Sequence, residues 1–200
     1  MITRLKLSTI EQGLPKYRSM LAGNAAYVPS SYESIASATG TGSSGTITFS
    51  SIPSTYQHLQ LRIITRDTGS GTTNEDIRLR FNGISAASYA RHNLSGDGAN
   101  ATAGSSTSQT YLDIIQVSPK TGTTANIVGA VIIDIHDYAS STKNKTVRSF
   151  GGADLNGSGN ISLQSGLFVD TNAISQIEIF TNGVAFETNS RFALYGIKGA

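Results

Sequence analysis

The pattern of apolar and polar residues changes after the first thirty-odd positions. From there on, short runs alternate between the two classes, as in the run from His58 to Arg66, where Leu59, Leu61 and Ile63 share one side of an extended chain. Clusters of Gly, Ser and Asn separate the runs, which is typical of strands and turns in an all-β protein. The runs predict strands at 34–37, 46–49, 58–66, 76–81, 86–94, 111–117, 126–138, 145–150, 160–163, 167–169, 174–181 and 191–197.

The spacing of these strands predicts their arrangement. Short strands roughly every 8–15 residues, with turn residues rather than helices between them, favour an antiparallel two-sheet β-sandwich, and we expect a jelly roll. Gly69-Ser70-Gly71 predicts a hairpin between the strands at 58–66 and 76–81. The polar tract 100–109 predicts a long exposed loop, and the apolar run 126–138 predicts a central strand buried on both faces.

The first 35 residues are predicted to form an N-terminal arm, followed by the sandwich domain at 36–200. Apolar residues recur along the arm, and residues 16–22 have the i, i+3, i+4 spacing of a short helix. Such a short helix is not stable alone in water. We therefore expect the arm to dock, either on a neighbouring subunit or on its own domain. The docking residues are predicted to be Leu14, Tyr17, Met20, Leu21 and Tyr27.

Composition narrows the possible functions. Charged residues make up 14% of the 200 residues, the net charge is +2 and cysteine is absent. A binder of nucleic-acid backbone would need a clustered basic stripe, and a thiolate metal site or disulfide would need cysteine. The sequence has no apolar run of transmembrane length, and its N-terminal residues lack the apolar core of a secretory signal. We expect no nucleic-acid or membrane partner.

Two short motifs resemble ligand-binding loops, but their surroundings favour turns. Gly40-Thr41-Gly42-Ser43-Ser44-Gly45 matches G-x-G-x-x-G, yet a strand follows it where a dinucleotide site needs a helix. The segment from Asp154 to Asn160 resembles the start of a calcium loop, but Ser165 stands where the bidentate carboxylate would be. Both are interpreted as connections between strands.

The histidines give little support for catalysis. His58, His92 and His136 lack the spacing of a zinc site. In Asp134-Ile135-His136-Asp137, carboxylates flank an imidazole as they do around a general base, but no marked nucleophile accompanies them. We expect a structural histidine, no enzyme activity and no catalytic, cofactor or metal site. Glycan hydrolysis needs a pair of carboxylates. If the protein were a glycan-degrading enzyme, the candidates for that pair would be Asp113, Asp134, Asp137 and Asp154.

Four arginines lie on the two strands of the predicted hairpin. If those strands pair, all four could share one outward face and form a basic contact patch. The competing interpretation is a solvated sheet face, with nearby Asp67, Glu75 and Asp76 neutralising the charge. The four residues are Arg62, Arg66, Arg78 and Arg80.

Five segments together resemble a known family. They are LAGNAAYVPSSYESIA, GTITFSSIPSTYQHLQLR, FNGISAASYARHNLSGDG, VIIDIHDYASSTKNKTVRSFGG and SRFALYGIKGA. The combination resembles accessory virion structural proteins of marine and cyanobacterial tailed bacteriophages, from about Leu21 to the end of the chain. The resemblance transfers no catalytic residues.

The resemblance implies a non-enzymatic virion protein, assembled in the host cytoplasm. The leading hypothesis is a capsid decoration or cement protein that docks through its arm on the major capsid protein or a tail protein, and associates as a homotrimer. The alternative is a tail-fibre or receptor-binding module that contacts host surface glycan through loops such as 97–109 and 154–160. A glycan-degrading enzyme is the third and least supported hypothesis.

Overall fold

A computed structural model describes residues 31–199, and these residues form strands, turns and loops without a helix. The docking residues predicted for the arm and the short helix at 16–22 lie outside the described residues. The strands are β1 Tyr32–Thr39, β2 Thr46–Phe49, β3 His58–Thr65, β4 Asn74–Phe81, β5 Tyr89–Gly96, β6 Ala101–Gln109, β7 Leu112–Pro119, β8 Gly129–His136, β9 Lys145–Asp154, β10 Gly159–Phe168, β11 Ile177–Phe180 and β12 Arg191–Ile197.

The strands form two antiparallel sheets. The large sheet has eight strands in the order β1-β12-β3-β8-β9-β10-β5-β6, and the small sheet has four in the order β2-β11-β4-β7. The small sheet covers the inner face of the large one, with β7 packed over β8, β9 and β10. The predicted all-β sandwich is confirmed, whereas jelly-roll topology stays a prediction.

Alternation along the strands builds the core between the sheets. Leu59, Leu61 and Ile63 on β3 face inward with Ile133 and Ile135 on β8, and all five are at most 2% exposed. Their counterparts in the small sheet occupy alternate positions of β4, β7 and β11, as period-two patterning requires. These counterparts are Ile77, Leu79, Phe81, Leu112, Ile114, Ile177 and Ile179.

Three expectations from the sequence are wrong. β3 and β4 do not form a hairpin, because β3 pairs with β12 and β8 in the large sheet and β4 pairs with β11 and β7 in the small one. The tract at 100–109 is not a loop, since Ala101–Gln109 pairs with β5 along its length. β8 is central in its sheet but buried on one face only, because nothing among the described residues covers Ile132.

The sandwich also begins earlier than expected. Residues 32–35, assigned to the arm from the sequence, belong to β1, where Tyr32 pairs with Ile197 and Thr39 with Arg191. β1 is therefore an edge strand of the large sheet, and β12 lies inside the sheet between β1 and β3.

Candidate docking groove on the large sheet

The outer face of the large sheet has a continuous row of apolar side chains. Strand pairing places Ile132 beside Phe150, Phe150 beside Leu163, and Leu163 beside Leu94, so the row crosses four adjacent strands. These four side chains are 44%, 54%, 53% and 56% exposed, in that order. With Ile64 and Ile161 in the neighbouring row, they form what we call the apolar stripe, a contiguous patch rather than scattered surface residues.

Small residues beside the stripe leave an open groove of about 1020 Å³. The groove crosses the sheet from β12 and β3, over β8, to β9, β10 and the turn after β5. Its floor includes Ala130, Gly96 and Gly152, which keep the surface near the backbone. Gly152 cannot be replaced without rearrangement, because a Cβ there would lie 2.1 Å from the carbonyl oxygen of Asn160.

The two ends of the groove differ in charge. Arg62 on β3 and Arg191 on β12 line one end, and Asp97 and Asp154, at the ends of β5 and β9, line the other. Within residues 31–199, none of the four takes part in an ion pair. The groove therefore has one basic end and one acidic end, each able to pair with a charge on an occupant.

Local hydrogen bonds hold these charged groups in place. The guanidinium of Arg62 donates to Gln60 Oε1 at 2.9 Å and lies 5.3 Å from the centre of the Tyr195 ring. Arg191 Nη1 donates to the carbonyl of Thr188 at 2.7 Å.

At the acidic end, the backbone N–H groups of Asn100 and then Ala99 donate to Asp97 and lower the pKa of its carboxyl. Asp154 Oδ1 accepts a hydrogen bond from the backbone of Asn156 at 2.8 Å. These hydrogen bonds favour the charged form of Asp97.

The structure does not bring together the four arginines expected to form one basic patch. Arg62 lies on the outer face of the large sheet, whereas Arg78 and Arg80 belong to β4 of the small sheet. Arg66 is buried, 4% exposed, and pairs with Glu187 at 3.3 Å. The expected shared face is therefore wrong, because the two strands lie in different sheets.

The two arginines of β4 are neutralised locally. Arg78 pairs with Asp113 at 3.4 Å, and Arg80 pairs with Glu178 at 3.3 Å across to β11. Their guanidinium groups also lie over aromatic rings of the small sheet. Charge pairs neutralise both arginines, as the competing interpretation expected, but the partners are Asp113 and Glu178 rather than Asp67, Glu75 or Asp76.

The histidines form a polar cluster on the same outer face as the groove. His58 on β3 and His136 on β8 are neighbours, with ring centres 5.1 Å apart. His58 Nδ1 accepts a hydrogen bond from the backbone N–H of Asp137 at 3.0 Å. Burial, and then the neighbouring His58, lower the pKa of His136. These contacts hold β3 and the end of β8 together.

The motifs that resembled ligand loops are turns. Residues 40–45 connect β1 to β2, and residues 155–158 connect β9 to β10, with Asn156 and Gly157 at positive φ. Within residues 31–199, no group of three or more His, Cys, Asp or Glu side chains is arranged to hold a metal ion.

Sequence reasoning missed the apolar stripe. Its signal is present in β10, where Ile161 and Leu163 alternate with Ser162 and Gln164. Alternation alone assigns the apolar set to the core, but the structure turns it outward and buries Ser162 and Gln164 instead. The missed residues are Ile64, Leu94, Ile132, Phe150, Ile161 and Leu163.

Comparisons with known proteins found no relative of this chain. No family model, no curated protein and no solved structure matches the chain. Within the described range, there is also no helix long and apolar enough to cross a membrane.

Proposed function

We propose that the protein is a non-enzymatic structural component of a tailed-bacteriophage virion, which decorates or cements the capsid as a homo-oligomer. In this proposal, the N-terminal residues 1–31, which precede β1, dock on a neighbouring subunit of the particle. The observation that carries it is the apolar stripe, exposed on a sandwich that buries most of its other apolar residues between the sheets. The resemblance of five sequence segments to phage accessory virion proteins indicates that the assembly is a phage particle.

The size of the stripe supports assembly with another surface. Its six side chains are each about half exposed. Covering them fully would contribute about 5–9 kcal/mol before the ordering costs of association. On a symmetric shell, repetition of one such contact adds avidity. A protein of this kind needs surfaces that fit its neighbours rather than a reaction centre.

Particle incorporation tests the proposal. In the full chain, Leu14, Tyr17, Met20, Leu21 and Tyr27 are replaced by Ser, and the variant is expressed during particle assembly. We expect incorporation to fall at least tenfold, because the apolar contacts of the arm are lost. A control variant with Ser8→Ala and Thr9→Ala should be incorporated normally. Undiminished incorporation of a folded five-site variant would contradict docking through the arm.

A second candidate, a tail-fibre receptor-binding module, is favoured by β6. This strand is rich in Ser and Thr and is exposed on both faces, so its hydroxyl groups are available to a glycan. Copy number separates the candidates, since a shell protein is present in hundreds of copies per particle and a tail protein in far fewer. Quantitative mass spectrometry of purified particles gives this number directly.

A further inference from the structure

The groove on the large sheet differs from the rest of the surface in having both an apolar floor and charged ends. Its volume of about 1020 Å³ is at the upper end of the roughly 300–1,000 Å³ of small-molecule pockets. It is open along the sheet rather than closed around a centre, and it spans six strands from β12 to β5. Five strand spacings make it about 24 Å long. A groove of this shape fits a peptide segment.

We propose that the groove binds residues 11–22 of a second copy of this chain. The inference rests on the proposed function, because it names the neighbouring subunit on which the N-terminal residues dock. The segment, EQGLPKYRSMLA, includes four of the apolar residues predicted from the sequence to dock: Leu14, Tyr17, Met20 and Leu21. In an extended chain Tyr17 and Leu21 share one side, and these two would cover the apolar stripe.

Charge complementarity gives the segment a direction. Its charged residues are Glu11 at the start and Lys16 and Arg18 further along. If the segment binds as an extended chain instead of the short helix expected at 16–22, Glu11 and Arg18 are about 23 Å apart, which matches the length of the groove to within one strand spacing. Glu11 then pairs with the basic end of the groove, and Lys16 and Arg18 pair with its acidic end. The reverse direction would place like charges together.

The point of attachment favours a second copy over the same chain. Residues 1–31 join the sandwich at Tyr32, and β1 then runs toward the groove, reaching Arg191 at Thr39. The groove lies near the Thr39 end of β1, so the chain enters the sandwich at the opposite end of that strand from the groove. Binding to the groove of a second copy would also form the homo-oligomer of the proposed function.

The area is sufficient for a specific contact. The six side chains of the stripe expose on the order of 500 Å² of apolar surface, and a standard interface buries about 800 Å² per partner with somewhat more than half of it apolar. The charged ends and the turns beside the groove supply the polar remainder. The groove therefore has the composition of an interface centre with a polar rim.

Reversing charges in the full-length purified protein tests whether the acidic end of the groove pairs with the basic residues of the segment. The groove variant Asp97→Lys/Asp154→Lys and the segment variant Lys16→Glu/Arg18→Glu should each raise the dissociation constant of the oligomer at least tenfold, measured by light scattering over a dilution series. Combining all four substitutions in one chain should bring the constant back to within about threefold of the original. A combined variant that is weaker than either parent overturns the proposal.

A mixing experiment tests exchange between copies. One full-length chain has the groove substitutions Phe150→Ser/Ile161→Ser, and the other has the segment substitutions Tyr17→Ser/Leu21→Ser. Phe150 and Ile161 are half exposed, so their replacement leaves the core intact. Each chain alone should fail to form the wild-type oligomer, and the mixture should form a mixed complex through the one intact pair. A monomeric wild-type protein, or a mixture that stays separate, overturns exchange.

The two proposals fail in distinguishable ways. Normal exchange in the purified protein, with no incorporation into particles, would contradict the virion function and leave the groove assignment intact. Normal incorporation, with an oligomer insensitive to every groove and segment substitution, would contradict the groove assignment alone.

Discussion

Gln164 in the large sheet hydrogen-bonds the backbone of Ile115 in the small sheet. Its side-chain carbonyl accepts from the Ile115 N–H at 2.8 Å, and its amide donates to the carbonyl of Asp113 at 2.9 Å. Gln164 is 5% exposed, so water cannot readily replace either bond. One polar side chain thus ties β10 to the edge strand β7 across the sandwich core.

We expect Gln164→Ala to lower the free energy of unfolding by about 2–3 kcal/mol, because two backbone groups of β7 lose their partner and a small cavity opens. Denaturant unfolding followed by fluorescence or circular dichroism measures the change. The adjacent Ser165→Ala, at an exposed position, should change stability by less than about 0.5 kcal/mol. Equal effects for the two variants would show that the bridge adds nothing to stability.

Arg66 is held by the segment after β7. It donates to the carbonyls of Thr121, Thr124 and Ile127 at 2.8–3.2 Å and also pairs with Glu187. A buried guanidinium with this many partners cannot be replaced by a smaller ammonium group without leaving acceptors unpaired.

We therefore expect Arg66→Lys to cost about 2–4 kcal/mol of unfolding free energy. Arg148→Lys is the matched control, because Arg148 is exposed on β9, and it should cost less than about 0.5 kcal/mol. Thermal and denaturant unfolding of both variants check the difference. If Arg66→Lys behaves like Arg148→Lys, the buried network does not hold the 121–127 segment.

Because of His136, we expect the folded protein to lose stability in mild acid. Burial, and next His58, lower its pKa from the model-peptide value of 6.5, with Asp134 and Asp137 opposing and Arg148 adding to the shift. As the pH falls through 6.5, the unfolded chain therefore takes up a proton before the folded one does, and stability decreases until the lowered folded pKa is passed.

The test is the free energy of unfolding between pH 7.5 and 5. His136→Gln should make this dependence shallower than in the original protein, whereas His92→Gln, on the exposed outer face, should leave it unchanged. If the pH dependence of stability is equally steep in all three proteins, it comes from groups other than His136.

The sequence predicts the sandwich well because most strands bury their apolar residues on alternate positions, as β3 and β4 do. It does not predict the pairing of those two strands. Loops of similar composition connect neighbours within a sheet and strands of opposite sheets, and the turn at 69–71 is of the second kind. The expected arginine patch is lost for the same reason.

The candidate groove could not be predicted because its strands violate the usual relation between polarity and burial. In β10, Gln164 faces the core since its amide bridges to β7, so Leu163 must face outward. The sequence of β8 predicts burial on both faces because Ile132 is apolar, yet the outer face of β8 is exposed. Apolar residues reserved for a partner and apolar residues of a core have the same sequence signal.

β6, which the sequence assigned to a loop, is an edge strand of the large sheet. Its backbone pairs with β5 on one side, and its small, uncharged side chains are exposed on both faces. Such a strand opens locally far more readily than β8, which lies between β3 and β9. In hydrogen–deuterium exchange, we expect the amides of 101–109 to exchange at least a hundredfold faster than those of 129–136 in the purified protein. Equal protection of the two strands would mean that another chain pairs with the free edge of β6, because an uncharged edge without proline is open to strand addition.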